Sequence, residues 1–376
     1  MKKHIYFLIN SLEWGGAERV VANLSQDLIE QYDIDIICLK KSTPAYKIPE
    51  HVRIFSFSNI QYNILLFPYI PYFVWRLRNI FKENSYISGV SFLEISNFVH
   101  IFTRKDAMIS FRTSIGFFQG IIGNIYKYLI KILYPQAGMI IVNSLENKYE
   151  LAKYLKIEPE KIEVIYNPID LDTIIKSTPI DISLLPGYDE QKSIFMTTGR
   201  LISSKHHATI ITSLYKLSQS GTRDFLYYII WSGPEETHLK VLTEKYGLED
   251  SIFLLGQRSD IYSILKRADY FIYASEVEWF PNVLIEAVAV GVPVITSHFK
   301  TWAYEVMLAE YTWSEDHRFP VLTPNWVMLD HSHFQEQFIE IYTNLSTLRH
   351  EKKWLEKYTE GTKKIQALLT HTKVSW

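Results

Sequence analysis

The chain is poor in cysteine and carries no excess of charge of one sign. Cys38 is the single cysteine among 376 residues, so no internal disulfide can form. No cysteine and histidine residues cluster at metal-ligand spacing, and one cysteine in an apolar run is typical of a reducing compartment. The 39 basic and 41 acidic residues give a net charge of −2, which argues against a nucleic-acid-binding protein of the usual basic kind.

The chain also lacks long apolar runs, repeats and low-complexity segments. No stretch reaches the roughly 20 apolar residues that a membrane-spanning helix needs. The first apolar run ends at Asn10, and no cleavage motif of a signal peptide follows it. We therefore expect a chain that at most binds to the surface of a membrane.

What the chain does have is a regular alternation of short apolar runs with amphipathic segments. The predicted strands are 4–9, 34–39, 53–57, 87–93, 106–110 and 138–143, followed by 193–198, 226–231, 251–255, 269–274 and 293–297. The predicted helices are 17–31, 206–219, 235–246, 260–267 and 283–290. Strands that are continuously apolar and separated by helices predict an α/β fold with parallel sheets covered on both faces.

The alternation occurs twice, which predicts two α/β units. The boundary is expected after Asp170, and residues 176–192 are rich in Ser, Pro, Gly and Asp, as in a linker. The last segment, from about His333 to Thr370, is predicted to be helical with a charged face.

A first motif, Ser11–Arg19, directly follows the first predicted strand and contains Gly15 and Gly16. Two glycines let a backbone approach a ligand closely, and the helix after them directs its N–H groups at the same place. The spacing is not the Gly-x-Gly-x-x-Gly of dinucleotide-binding proteins. A tight turn between strand and helix is the alternative interpretation.

A second motif, Thr198–Lys205, lies at the end of the first strand of the second unit. It brings Arg200 and Lys205 to the carboxyl edge of a parallel sheet, where such folds bind ligands. Arginine grips a phosphate with two N–H groups and lysine supplies a mobile point charge. Two solvated surface cations are the alternative.

A third motif, Glu278–Ala287, follows the strand 269–274 and opens a helix. Pro281 and Asn282 suit a helix start, whose N–H groups form an anion site. Glu278 and Glu286 flank that start, and each can accept hydrogen bonds from sugar hydroxyls. The alternative is a loop charge and a favourable acid near the helix start.

Charge is unevenly distributed along the chain. Residues 51–141 carry 9 basic and 3 acidic side chains, and an aromatic segment, 67–78, lies among them. Rings beside cations suit a lipid headgroup interface, which predicts that Tyr72, Trp75, Arg76 and Arg78 face a membrane. Ordinary helix packing with a solvated basic edge explains the pattern equally well.

Together the motifs resemble the retaining, GT-B-fold glycosyltransferases of family four. The resemblance rests on Gly-Gly-Ala-Glu-Arg at 15–19, Asn-Pro-Ile-Asp at 167–170, Gly-Arg-Leu-x-x-x-Lys at 199–205 and the pair Glu278 and Glu286, and it covers nearly the whole chain. The segments 133–137 and 282–286 are similar to bacterial enzymes that add N-acetylgalactosamine to an undecaprenyl-diphosphate-linked glycan for protein N-glycosylation.

The resemblance implies a role for each motif residue. Arg200 and Lys205 would bind the donor diphosphate and stabilise its leaving charge, Glu278 would touch the transferred sugar, and Glu286 would hold the ribose hydroxyls. Further donor-binding residues would be Gly199, Gly256, Gln257, Arg258, Phe280, Pro281, Asn282, Val283 and Leu284. Gly15, Gly16 and Arg112 would face the diphosphate and the acceptor.

The resemblance also implies the architecture: two Rossmann-like domains facing across a cleft. The expected division is an acceptor-binding and membrane-facing domain over 1–172, a nucleotide-sugar-binding domain over 173–350, and a helix over 351–376 that returns to the first domain. Trp279 replaces the usual Gly of the family, and Arg112 stands near a usual His.

We therefore expect a retaining hexosyltransferase on the inner face of the cell membrane. Its expected partners are a nucleotide sugar, best matched by UDP-N-acetylgalactosamine, and a polyprenyl-diphosphate-linked glycan. No cofactor and no metal are expected, because no Asp-x-Asp stands in a plausible site. The alternatives are a lipopolysaccharide or capsule glycosyltransferase with another donor, a nucleotide-sugar epimerase or dehydrogenase, and a non-catalytic sugar-nucleotide-binding or membrane scaffold protein.

Overall fold

A computed structural model describes residues 2–60, 63–168, 171–276, 278, 281–298, 321–323, 326–330, 334–339 and 342. The chain divides into two compact units, Met1–Pro168 and Ile169–Trp376. The helix expected over 351–376 lies outside the described residues, as does most of the predicted helical segment 333–370, of which 334–339 and 342 are helical.

The described part of the first unit contains one parallel sheet. Its strands are β1 (Lys3–Ile9), β2 (Tyr32–Cys38), β3 (Arg53–Ser56), β4 (Ser88–Phe92), β5 (Met108–Phe111), β6 (Met139–Val142) and β7 (Ile162–Val164). They are ordered β3-β2-β1-β4-β5-β6-β7, and every neighbouring pair is parallel. The order reverses between β1 and β4, which creates a crevice at their carboxyl ends.

Helices cover both faces of this sheet. They are α1 (Gly16–Leu28), α2 (Ile70–Glu83), α3 (Glu94–Thr103), α4 (Gly120–Leu133) and α5 (Leu145–Leu155). Alternate residues of β1 face opposite sides, so Phe7 and Ile9 pack with α1, whereas Tyr6 and Leu8 pack with α2 and α3. The helices α3, α4 and α5 share a core with β5 and β6 on the same side as α2.

The second unit repeats the arrangement with its own sheet. Its described strands are β8 (Ser193–Thr198), β9 (Phe225–Ile230), β10 (Ile252–Gly256), β11 (Tyr270–Tyr273), β12 (Val294–His298), β13 (Val321–Thr323) and β14 (Trp326–Asp330). Their order is β10-β9-β8-β11-β12-β14-β13, parallel except for the pair β13 and β14. The described helices are α6 (Leu171–Lys176), α7 (His207–Gln219), α8 (Glu236–Lys245), α9 (Ile261–Leu265) and α10 (Asn282–Ala289).

The prediction of two Rossmann-like α/β sheets is confirmed, but the interpretation of 176–192 as a plain linker is wrong. Ile180, Ile182 and Leu185 pack against the core of the second unit, and Leu185 is buried. A Cβ at Gly187 would lie 2.4 Å from the Phe253 ring. The few apolar side chains of this segment therefore fasten it to the sheet, although its composition is that of a turn.

Candidate active site

The residues of the second and third motifs meet where the second sheet reverses its strand order. Arg200 and Lys205 follow β8, while Glu278 follows β11, the neighbour of β8 on the other side of the reversal. The carboxyl ends of two adjacent parallel strands thus bring cations and a carboxylate to one place. This is the position at which open α/β sheets bind their ligands.

The loop after β8 is held by its backbone. Gly199 has a φ of 134°, a conformation that side-chain-bearing residues rarely adopt. Leu201 donates its N–H to the Ser232 carbonyl at 3.3 Å, and a Cβ at Gly233 would lie 2.5 Å from the Leu201 carbonyl oxygen. Glycine at 233 therefore allows two loops to touch. Arg200 is exposed on this loop, and no described residue pairs with its guanidinium.

Lys205 lies in a compact polar cluster with residues from β11 and the loop after it. Its ammonium donates to the Tyr273 hydroxyl at 2.9 Å and forms a short ion pair with the Glu278 carboxylate. Tyr273 donates its own hydroxyl proton to the same Glu278 oxygen. Burial, followed by the neighbouring Glu278 carboxylate, raises the pKa of Tyr273 well above its ordinary value, so the phenol stays neutral.

Main-chain contacts fix the loops that carry this cluster. The Ser204 carbonyl accepts from the Glu276 N–H at 3.1 Å and from the Ser275 hydroxyl at 3.2 Å. Ser275 is held in turn by Ser297, whose hydroxyl donates to the Ser275 carbonyl at 2.6 Å. The loops after β8 and β11 and the end of β12 are thus fastened together, which keeps the lysine and the carboxylate in register.

The third motif starts α10 as expected. The buried Pro281 precedes the helix, and its carbonyl accepts from the Leu284 N–H at 2.9 Å. Asn282 and Val283 are partly buried, and Leu284 is fully buried. Glu286 is buried at the end of the first helical turn. Phe280 and Trp279, the other predicted residues of this motif, lie outside the described residues.

The predicted base-binding loop follows β10. Gly256 has a φ of 69°, and Gln257 and Arg258 are exposed after it. Both the Arg258 Nε and a terminal nitrogen donate to Asp260 at 2.8 Å, so the guanidinium is already engaged on the surface. An open pocket bounded by Ser259, Asp260 and Lys176 lies beside this loop and contains none of the predicted site residues.

At the carboxyl edge of the first sheet, Gly15 and Gly16 form the turn from β1 into α1. A Cβ at Gly15 would lie 2.1 Å from a Glu18 carboxylate oxygen, whereas at Gly16 it would meet nothing within 4 Å. The turn is anchored by Asn10, which is buried and accepts from the Ser96 hydroxyl at 2.8 Å. A side chain at 15 would require only the flexible end of Glu18 to move, and Gly16 leaves open space at the helix N-terminus.

Arg112 follows β5 at the same edge and is engaged within the first unit. It donates to the Ser110 hydroxyl at 2.9 Å and makes a short contact with the Asn167 side chain. Its guanidinium also stacks 5.4 Å from the centre of the Phe92 ring. Burial lowers the pKa of Arg112 to about 9, so it remains a cation at neutral pH.

Sequence reasoning missed three ionisable residues at these edges: Tyr273, Glu94 and His207. Glu94 is the first residue of α3, after β4, and follows Leu93, whose φ is 72°. Burial raises the pKa of Glu94 to about 7. His207 is buried at the start of α7, and burial lowers its pKa to about 4. The end of a predicted strand was the available signal for Tyr273 and Glu94.

The four side chains predicted to face a membrane all project from the exposed side of α2. Tyr72, Trp75, Arg76 and Arg78 are exposed, and Arg78 donates to the Phe102 carbonyl at 2.9 Å. The described helices include none that is long and apolar enough to cross a membrane.

The sheets and their reversal sites define a GT-B type of glycosyltransferase, and comparisons with known proteins identify the family. Residues 14–173 match the model of Glycosyltransferase Family 4, and residues 186–312 match that of Glycosyl transferases group 1. The two segments cover roughly three quarters of the chain. The chain therefore belongs to the family-four, group 1 glycosyltransferases and is a hexosyltransferase.

Individual relatives agree with this assignment. The chain is 29% identical over 308 residues to N-acetylgalactosamine-N,N'-diacetylbacillosaminyl-diphospho-undecaprenol 4-alpha-N-acetylgalactosaminyltransferase of Campylobacter jejuni, covering 79% of this chain and 81% of the relative. The sucrose-phosphate synthase of Thermosynechococcus elongatus shares the fold with a TM-score of 0.76 at 16% identity, covering 98% and 95%. HepE of Anabaena in complex with UDP shares it with a TM-score of 0.70 at 17% identity, covering 99% and 95%.

Proposed function

We propose that this enzyme transfers N-acetylgalactosamine from UDP-N-acetylgalactosamine to an undecaprenyl-diphosphate-linked glycan, with retention of configuration. The observation that carries the proposal is the cluster of Lys205, Tyr273 and Glu278 at the strand-order reversal, with Arg200 on the same loop as Lys205. The choice of sugar and acceptor is supported by the likeness to the Campylobacter transferase over 79% of the chain. A UDP complex in a protein of the same fold supports the choice of nucleotide.

The chemistry requires charge stabilisation rather than a strong acid. When the bond between the sugar C1 and the diphosphate oxygen breaks, negative charge grows on the departing phosphate. Lys205 and Arg200 provide positive charge there, and the N–H groups at the start of α10 provide oriented dipoles. Glu278 and Tyr273 hold the Lys205 ammonium in place until the donor arrives.

The acceptor side of the reaction follows from the resemblance to retaining enzymes. The acceptor hydroxyl attacks C1 on the face from which the diphosphate leaves and gives its proton to the departing phosphate oxygen. We assign no protein base. Gly16 and Arg112 lie at the carboxyl edge of the first sheet, where we place recognition of the acceptor diphosphate. We further propose that the enzyme works at the inner face of the cell membrane.

Product analysis tests the donor and the acceptor together. Purified enzyme is incubated with defined undecaprenyl-diphosphate-linked glycans and one of several nucleotide sugars. The masses of the lipid-linked products are then measured by mass spectrometry. The expected product gains one or more N-acetylhexosamine residues from UDP-N-acetylgalactosamine. Transfer from another nucleotide sugar alone would point instead to a lipopolysaccharide or capsule transferase.

Metal removal gives a separate test of the proposed charge stabilisation. Because Arg200 and Lys205 supply the positive charge, we propose that transfer needs no divalent ion, and EDTA is expected to leave the initial rate unchanged. A rate that collapses in EDTA and returns with Mg²⁺ or Mn²⁺ would contradict this part of the proposal.

A further inference from the structure

The helix α4 exposes a row of large apolar side chains to solvent. Ile121, Ile125, Tyr128 and Ile132 recur at the spacing of one helical face, and Ile121 and Tyr128 are 83% and 65% exposed. Phe117, 71% exposed, and Ile122 extend the row at the amino-terminal end of the helix. We call these six residues the α4 apolar stripe.

Packing within the first unit does not account for the stripe. The opposite face of α4 supplies the core contacts, through the buried Ile130 and Leu133 and the partly buried Tyr126 and Leu129. The helix is therefore apolar on both faces, whereas a surface helix of a soluble protein is apolar on one. A contiguous apolar patch of this kind is typical of a surface that binds a partner.

The charge around the stripe selects the kind of partner. From Ala107 to Leu145 the chain has no aspartate or glutamate, and its charged residues are Arg112, Lys127 and Lys131. Lys131 is exposed in the last turn of α4. A helix whose exposed face is apolar and whose own charged residues are lysines complements an anionic lipid surface, where the side chains enter the acyl boundary and the cations meet headgroups. The nearest acid to its amino-terminal end, Glu150 of α5, accepts a hydrogen bond from Ser114 at 2.7 Å.

The length of α4 limits how the helix can be oriented on a lipid bilayer. Its 14 residues extend over about 21 Å, which is too short to span a bilayer. The helix must therefore lie in the plane of the interface. We propose that the α4 apolar stripe docks the enzyme on an anionic lipid bilayer, a proposal that rests on the lipid-linked acceptor of the proposed function.

The location of the stripe suits such an acceptor. The strand β5 ends at the carboxyl edge of the first sheet, and α4 starts at Gly120, nine residues after that strand. The amino-terminal end of α4, with Phe117 and Ile121, thus lies on the side of the sheet edge that carries Arg112. Docking there brings the headgroup layer, and with it a lipid-anchored diphosphate, towards the edge assigned to the acceptor.

Vesicle flotation tests the docking surface directly. The full chain is mixed with vesicles rich in phosphatidylglycerol, and the bound fraction is measured for Ile121→Glu and Tyr128→Glu. Each variant is expected to bind about tenfold more weakly, because a carboxylate replaces a side chain that inserts into the interface. Leu184→Glu and Val241→Glu are matched controls on exposed apolar positions of the second unit, and they are expected to bind like the wild type.

A fluorescent label gives a readout that needs no loss of binding. The natural Cys38 is buried, so a cysteine introduced at position 121 can be labelled selectively with an environment-sensitive dye. On phosphatidylglycerol vesicles, the emission of the dye is expected to shift to shorter wavelength and to become more intense in Ile121→Cys. In Leu184→Cys the emission is expected to stay unchanged.

Two results would overturn the proposal. One is vesicle binding by Ile121→Glu equal to that of the wild type, with no response of the label. The other is a wild-type protein that is a dimer and does not bind vesicles, together with an Ile121→Glu variant that is a monomer. That result would assign the stripe to contact with a second copy of the chain.

Transfer to a water-soluble, short-chain acceptor analogue separates this failure from failure of the proposed function. There Ile121→Glu should keep the wild-type kcat/KM. If the wild type itself does not transfer sugar to the analogue, the proposed function fails while the vesicle result stands.

Discussion

Of the eighteen large apolar side chains that the described part of the chain leaves exposed, sixteen lie in the first unit and two, Leu184 and Val241, lie in the second. Both units contain a seven-stranded sheet and a core of buried apolar side chains. Fold therefore does not account for the difference in surface. Exposed apolar side chains concentrated in one unit are typical of a protein that binds a partner with that unit, and the docking on lipid proposed above would use them.

The two units also differ at their strand-order reversals. In the second unit the carboxylate after β11, Glu278, is held by the Lys205 ammonium and the Tyr273 hydroxyl. In the first unit the carboxylate after β4, Glu94, has no ion-pair partner among the described residues, and burial raises its pKa to about 7. One edge thus carries an ion pair, and the other carries a buried acid whose pKa is raised.

The largest effect is expected when the ion pair between Lys205 and Glu278 is removed. Lys205→Ala should lower kcat by about 10²–10³-fold, the usual loss when a group that stabilises developing negative charge is removed. It also leaves Glu278 without its cation. Initial rates with saturating donor measure the effect.

A surface ion pair in the same unit provides the control for Lys205→Ala. Lys240 and Glu236 lie 2.8 Å apart on α8, where Lys240 is exposed and Glu236 is partly exposed. Lys240→Ala should keep the wild-type rate, because an exposed pair of this kind contributes little to stability. Equal rates for Lys205→Ala and Lys240→Ala would show that Lys205 does not take part in the reaction.

The next largest effect concerns Glu94, the acid at the strand-order reversal of the first sheet. The folded chain keeps the Glu94 proton up to a pH of about 7, whereas an unfolded chain releases it near its ordinary pKa of 4.5. The free energy of unfolding therefore falls as pH rises from about 4.5 to about 7, by up to about 3 kcal/mol. Glu94→Gln should lose this decline, which urea unfolding at pH 5, 6, 7 and 8 would measure.

Buried histidines act with the opposite sign and serve as an internal reference. Burial lowers the pKa of His100 to about 3 and that of His207 to about 4, so they destabilise the folded chain as pH falls below about 6.5. Both histidines remain in Glu94→Gln. The curves of unfolding free energy against pH for the wild type and this variant therefore differ only by the contribution of Glu94. Parallel stability curves for the two proteins would show that Glu94 has an ordinary pKa.

A smaller effect distinguishes the two membrane contacts proposed for the first unit, α2 and the α4 apolar stripe. Arg76→Glu and Arg78→Glu on α2 should each weaken binding to anionic vesicles several-fold at low salt, because a basic residue near the surface contributes about 1 kcal/mol. That loss should fade in high salt, whereas the loss in Ile121→Glu should persist. Vesicle flotation at two salt concentrations provides the measurement, and donor hydrolysis should stay unchanged.

Reversal of a cation in the other unit is the control for α2. Arg223 is exposed before β9, and Arg223→Glu should leave vesicle binding unchanged. If Arg76→Glu and Arg78→Glu behave like Arg223→Glu, the basic edge of α2 belongs to ordinary helix packing. The stacking of Arg76 5.4 Å from the Phe57 ring would then be its main contact.

Sequence periodicity predicted the framework because buried parallel strands are continuous apolar runs. The strand 193–198 was predicted with the bounds that β8 has, and the other predicted strands differ from theirs by a few residues at most. The strands β7, β13 and β14 were missed; β7 and β13 have three residues each, too few to carry a periodic signal. For the same reason the sparse apolar contacts of 176–192 did not stand out from its turn-like composition.

The site was only partly predictable, because motifs identify residue types and not contacts. Lys205 and Glu278 were predicted as separate donor ligands, and their ion pair became visible only in the structure. Tyr273 was predicted as a strand residue, and nothing in the sequence shows that its hydroxyl joins the two. The exposure of the α4 apolar stripe was equally hidden, since an apolar helix in sequence is normally assigned to the core.

The smallest effect concerns the hydroxyl that joins Lys205 to Glu278. Tyr273→Phe removes the acceptor of a 2.9 Å hydrogen bond from the Lys205 ammonium but keeps the ring. The rate should fall about fivefold, equivalent to about 1 kcal/mol, because the ion pair remains and only its orientation is loosened. Tyr228→Phe is the matched control, since its hydroxyl donates to the Pro186 carbonyl at 2.9 Å in the same sheet and pairs with no charged side chain among the residues that the structure describes. Both variants should lose similar stability, but only Tyr273→Phe should lower kcat; equal kcat in the two would reduce Tyr273 to a structural residue.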